Sequence, residues 1–192
     1  IETIEITPEQ LEILAGAQYL YSTPTEIGAL RCGAMGSGEI IDHCRARGAK
    51  LVYDLDVDYI RDGSEERYQR LDIAFFNEVG FNSYAGGLDF RAAADRLLSY
   101  GLELVVVTLA ENGCIVFSKE ETIRSPGFPV EVVDVTGAGD TFCSSFLYAL
   151  STGGDLAYAA RFANAAASIC VGKLGARGGA VPPQAVERLL RL

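Results

Sequence analysis

Ten consecutive residues, Val133-Asp134-Val135-Thr136-Gly137-Ala138-Gly139-Asp140-Thr141-Phe142, hold the residue types that could do chemistry. A β-branched run stops, two glycines bracket an alanine, and a helical pattern begins beside a carboxylate. A chain that enters such a turn and leaves as a helix points unpaired backbone amides at one spot, where the helix dipole is positive. Gly137, Ala138 and Gly139 are therefore a candidate anion hole, since glycine removes the Cβ atoms that would keep a phosphate from the backbone. Asp140 sets a carboxylate beside it. In a simple anion site that charge would repel the ligand. It is useful where it accepts a proton from a hydroxyl that attacks a phosphoryl group held by the amides. The chemistry indicated is phosphoryl transfer with Asp140 as base; the alternative is a first-turn acid that merely complements the dipole.

Composition narrows the setting of that turn. The 192 residues are 49% apolar and 22% charged, enough for one sizeable core in an ordinary globular protein. The formal net charge of −10 argues against broad contact with nucleic acid or an anionic membrane, so an anionic ligand must be held locally. No apolar run reaches the length of a membrane span and no basic-then-apolar leader opens the chain, so a cytoplasmic protein is expected. Cys32, Cys44, Cys114, Cys143 and Cys170 are odd in number and set among apolar residues, as reduced core thiols are. His43 is the single histidine and falls on the polar side of a helical pattern. That excludes a multi-histidine metal site and leaves a carboxylate as the natural general base.

Helix and strand patterns alternate along the chain. Thr7-Pro8-Glu9-Gln10 predicts a capping box and a helix to about Ala17; Tyr19 to Tyr21 reads as a strand, and Glu26 to Arg47 as a long helix with a glycine-rich middle. Lys50 to Tyr53, Leu71 to Phe76 and Leu104 to Leu109 are apolar strands of the kind a parallel sheet buries, with a helix from Leu88 to Tyr100 between the last two. Cys114 to Phe117, Glu121 to Arg124 and Val130 to Val133 predict short antiparallel strands at one side of the sheet. Helices follow at Ala138 to Leu150, Asp155 to Val171 and Pro182 to Leu192. The acidic run Asp54 to Asp58 follows a strand, where ligands of open α/β sheets gather. The pattern is that of one three-layer α/β domain.

Val133 to Phe142 also resembles the Asp-x-Thr-Gly-Ala-Gly-Asp-x-Phe signature of the ribokinase, or PfkB, family of carbohydrate kinases. Asn77-Glu78 is similar to that family's Pro-Asn-Glu segment, and Val107-Thr108-Leu109 with Gly113 to its Thr-Leu-Gly-x-x-Gly nucleotide strand. Ala163 to Ala167, Gly175-Ala176 and Pro182 resemble its closing helix and adenine-side loop. The resemblance implies a ribokinase-like three-layer α/β/α fold, mostly parallel, and transfer of phosphate from ATP to a sugar hydroxyl with Mg2+. It implies that Asp140 is the base and Gly137, Ala138 and Gly139 the anion hole. Asn77 would lie near the nucleotide phosphates and magnesium, with Thr108, Gly113 and Asn164 lining the nucleotide site. Glu78 would stand toward the metal, and Asp134 and Thr136 beside a monovalent cation such as K+. Asp54 to Asp58 would be a candidate for sugar or phosphate-side contacts. Partners would be a small-molecule sugar, with neither nucleic acid nor membrane, and a homodimer is left open.

The sequence departs from the family pattern at three places. Gly80 stands where Asn-x-x-Glu would place glutamate, Ala110 replaces the first glycine of the nucleotide strand, and the family's N-terminal third, with its lid and paired-glycine substrate motif, has no counterpart. A single domain over residues 1–192, truncated at the N-terminus, is therefore expected. Two alternatives stand beside a sugar kinase: a catalytically inactive nucleotide-binding remnant or regulatory protein, and a nucleoside or vitamin kinase of the same superfamily.

Overall fold

The computed structural model describes residues 2–55 and 68–191. Two compact units are present, residues 1–105 and 106–192, with the boundary inside one strand. Asp54 is described, whereas Asp56 and Asp58 of the acidic run lie outside the described residues.

The first unit opens with β1 (Ile4–Glu5) and α1 (Pro8–Ala15). The expected capping box is formed: Gln10 N–H donates to Thr7 Oγ1 at 3.2 Å, and Thr7 N–H to Gln10 Oε1 at 2.8 Å. Strand β2 (Tyr19–Ser22) follows, then α2 (Pro24–Gly28), β3 (Leu30–Cys32), β4 (Met35–Gly36) and α3 (Ser37–Arg45). The long helix expected over Glu26 to Arg47 is thus broken into two helices around a hairpin. Its glycines explain the break, because each costs a helix about 1 kcal/mol relative to alanine. Cys32 pairs with Met35 across the two-residue loop Gly33-Ala34, and β1 adds to β3 in parallel.

Strand β5 (Lys50–Leu55) takes β2 on one side, with Tyr19 opposite Lys50, and β6 (Ile73–Asn77) on the other, with Val52 opposite Ile73; both pairings are parallel. Helix α4 (Glu78–Ala85) starts directly from β6 and was not anticipated, because its sequence lacks a clear apolar period. Helix α5 (Phe90–Ser99) begins two residues later than expected, where Asp89 caps it by accepting from Ala92 N–H at 3.0 Å. Phe76, Phe81 and Phe90 interlock edge to face, with centroids 5.2 and 4.9 Å apart. His43 lies on α3, half-buried, with Nε2 3.1 Å from Glu12 Oε1 of α1.

Strand β7 (Leu104–Thr108) spans the unit boundary, and the strand order is β2-β5-β6-β7-β8-β9. In the second unit β8 (Cys114–Phe117) pairs antiparallel with β9 (Thr122–Ser125), Cys114 opposite Ser125. Helices α6 (Ala138–Ser151), α7 (Leu156–Val171) and α8 (Pro183–Leu190) complete it. The alanine-rich face of α7 lets it lie close against α6, with Phe146, Phe162, Ala159 and Ala163 buried. The expected fold class holds: a mostly parallel sheet flanked by helices, with an antiparallel pair at one edge. The strand expected at Val130 to Val133 does not form. Val133 and Asp134 donate instead to the Val171 carbonyl at 2.8 and 3.1 Å, and β-propensity builds no strand without a partner. All five cysteines are buried and none is in a disulfide. Among the described residues no helix is long and apolar enough to cross a membrane.

Asp72 is the polar tie of the first unit. Its Oδ2 accepts from Leu51 N–H of β5 at 2.7 Å and from Arg45 of α3, and its carbonyl accepts from Glu103 N–H at 2.8 Å. Asp72→Ala strands the Leu51 amide and the Arg45 guanidinium. We expect it to lower unfolding free energy by about 2–3 kcal/mol, measured by urea denaturation.

Candidate functional site

The anion-binding turn is built by a change of backbone hand. Gly137 caps α6 at φ +80°, and an added Cβ there would stand 3.0 Å from Ala176 Cα and 3.1 Å from its Cβ. The left-handed dihedral favours glycine, and the close approach of the Gly175-Ala176 loop adds to that preference. The first helical bond, Thr141 N–H to the Gly137 carbonyl at 2.9 Å, leaves the amides of Gly139 and Asp140 without intrahelical acceptors. Ala138 N–H reaches the Val135 carbonyl at 3.2 Å, a long bond that an anion can replace. A Cβ on Gly139 would meet nothing within 4 Å, so the approach to the amides is open. Asp140 is exposed on the same first turn.

A cavity of about 550 Å³ adjoins this turn, with Ala138 and Gly139 in its lining. Thr108, Gly113 and Asn164 line it too, so the structure gathers five of the expected site residues around one space. Its walls are otherwise largely apolar, with Val130, Val132, Val135 and Phe142 among them. That combination suits a ligand with a flat apolar portion and an anionic one. The valines explain the absent strand: Val132 is 59% and Val135 68% exposed, because their side chains face the cavity and solvent. Their alternation with polar residues gives the same signal as a strand, so periodicity alone did not reveal them as a wall.

Part of the cavity lining, Gly113 and Gly127, is a backbone crossing. A Cβ on Gly113 would lie 2.1 Å from the Ser125 carbonyl oxygen and 2.5 Å from Gly127 N. Asn164, buried in α7, stitches this crossing together: its Nδ2 donates to the Ser125 carbonyl at 3.1 Å, Ser125 Oγ at 3.0 Å and the Pro126 carbonyl at 3.3 Å. Asn164 Nδ2 also lies 3.6 Å from Cys114 Sγ, and burial pushes that thiol up to about 12, so it stays protonated. Between Thr108 and Gly113 the chain makes a short 3₁₀ turn, Ala110–Asn112, in which Ala110 sits at φ +50°. It is the described non-glycine residue with a positive φ, at the position where glycine was expected from the nucleotide-strand pattern.

The remaining candidates are placed as follows. Asp134 Oδ1 accepts from Thr136 N–H at 2.9 Å and Thr136 Oγ1 at 2.7 Å, and Oδ2 accepts from Gly175 N–H at 2.8 Å. The Thr136 hydroxyl and the two amides hold the Asp134 carboxyl below the usual range. In the first unit, Asn77 caps α4 by accepting from Gly80 N–H at 2.7 Å, and Glu78 is exposed at the first helical position. Among the described residues no three His, Cys, Asp or Glu side chains come together as a metal cage.

The 550 Å³ cavity, lined by residues of the open-amide turn and by apolar side chains, fits ATP in size and lining. A magnesium ion would arrive with the nucleotide, resting on its phosphate oxygens and water.

The arrangement has clear counterparts. A ribokinase of Bacillus subtilis is 45% identical over 97 residues, half of this chain and 33% of its own length. A sugar kinase of Archaeoglobus fulgidus described as uncharacterized is 38% identical over 91 residues, 47% of this chain and 36% of its own. The structure of Arabidopsis thaliana ribokinase complexed with ribose and ATP superposes with a TM-score of 0.81 at 25% identity, covering 100% of this chain and 61% of that one. Adenosine kinase from Sinorhizobium meliloti superposes at 0.79 and 25% identity, covering 96% and 58%. The chain therefore matches about a third of the length of those two sequence relatives and about three fifths of the two structures. The model of the pfkB family carbohydrate kinases matches residues 9–183, nearly the whole chain, and the chain belongs to that family.

Proposed function

We propose that the protein transfers the terminal phosphoryl group of magnesium-bound ATP to a hydroxyl of a sugar or sugar derivative. The observation that carries this reading is the first turn of α6, where an exposed carboxylate, Asp140, stands beside backbone amides that open into a cavity of nucleotide size. Family membership and the relatives named as ribokinase and sugar kinase support it.

The base and ribose of ATP would occupy the valine-walled part of the cavity, with the phosphates toward Ala138 and Gly139. As the acceptor oxygen bonds to phosphorus, the bond to the ADP oxygen breaks and the acceptor proton passes to Asp140. Exposure lets Asp140 return that proton to water. The amides and helix dipole hold the charge that the departing phosphoryl group spreads over its oxygens. No step runs through potassium. A nucleoside acceptor is the second reading, favoured by the adenosine kinase superposition; both are tested by one screen of sugars and nucleosides for ADP release.

Two outcomes are expected. Asp140→Asn keeps ATP affinity within about twofold and lowers kcat about a thousandfold, the range for losing a general base. Retained turnover in that variant, or no ADP release by the intact protein with any acceptor, overturns the reading in favour of a binding protein. Ala110→Gly relieves a left-handed alanine and offsets part of that gain by loosening the unfolded chain. A net stabilisation of about 0.5–1 kcal/mol, a rise of roughly 1–4 °C in Tm by calorimetry, is expected.

A further inference from the structure

The anion-binding turn does not hold its own shape. It is clasped from outside by the segment that follows α7. Gly175 N–H donates to Asp134 Oδ2 at 2.8 Å, and the Ala176 backbone presses on Gly137 one residue before α6. A third contact joins the Cys170 thiol, at the end of α7, to the Thr136 carbonyl at 3.8 Å. Asp134 alone among these residues reaches both partners, because its other oxygen closes the turn internally on Thr136.

We infer that Asp134 is a positioning residue, a two-sided hook that fixes the amides of the anion-binding turn by tying them to the Gly175-Ala176 loop. The inference rests on the kinase reading for its catalytic consequence and on geometry alone for the hook. Without the tie, Ala176 is free to withdraw from Gly137. The left-handed start of α6 then loses the surface that defines it, and the Gly139 and Asp140 amides no longer share one direction. Such misplacement weakens interactions made to a developing charge more than it weakens ground-state binding in the apolar part of the cavity.

Asparagine separates the two sides of the hook. In Asp134→Asn the remaining carbonyl oxygen keeps accepting from Thr136, while the amide group meets Gly175 N–H donor to donor. Asp134→Ala removes both sides. Hydrogen–deuterium exchange of the full chain, read in peptides covering 134–141 and 172–180 with and without ADP, is compared with steady-state kinetics of ATP turnover. For Asp134→Asn, exchange in 172–180 should quicken at least tenfold with 134–141 less affected, kcat should fall 10- to 100-fold, and the KM for ATP should stay within about threefold. For Asp134→Ala, both peptides should exchange faster and kcat should fall further.

Unchanged exchange in 172–180 for Asp134→Asn overturns the inference. So does a loss of ADP affinity as large as the loss of kcat, accompanied by faster exchange throughout the chain, which would mark a merely structural residue. If the wild-type protein releases no ADP with any acceptor, the kinase reading fails separately, and the exchange measurement alone decides whether the hook exists.

Discussion

The geometry of the second unit depends on one backbone reversal, the left-handed Gly137 that starts α6. Its dihedral sets the direction of the first helical turn, and that direction decides where the open amides and Asp140 face. Such a conformation costs any residue with a Cβ about 1–2 kcal/mol, and here a Cβ would stand 3.0 Å from Ala176 Cα, so the facing loop would have to give way by a few tenths of an ångström. Glycine at this position is favoured both by the turn itself and by a loop nearly forty residues away in sequence.

Around that reversal the second unit divides its labour between backbone and side chains. Close approach to an anion is left to main-chain amides, which carry no rotamers to misplace. The large apolar surface is left to valines on a segment outside the sheet, and orientation to buried polar groups such as Asn164, whose amide donates to the end of β9 and to the residue that follows it.

Local signals were readable from the sequence wherever the physics was local. The Thr7 capping box, the apolar runs of β5 and β7 and the glycine-bracketed start of α6 each depend on residues within four positions of one another, and each was placed correctly. The family resemblance of that last run and of the motifs flanking it then supplied most of the candidate residues. What failed depended on distant partners. Leu30 to Gly36 is a hairpin because β1 lies beside it, a fact no window around residue 30 contains. Val130 to Val133 lacks a ladder because its amides turn to Val171. The tie between Asp134 and Gly175 was equally hidden, since only the folded chain brings residues 134 and 175 together.

The crossing of Gly113 and Gly127 bears on how this cavity can change over generations. The obstacle at each position is another stretch of main chain, so a substitution there finds no neighbouring side chain that could mutate to make room. Compensation is closed off, and the two positions are tied to glycine together. Ala110 and Glu111 lie at the same cavity, and both are exposed. Drift is therefore confined to the rim: the ligand preference of the cavity can be retuned at exposed positions while its floor is inherited unaltered.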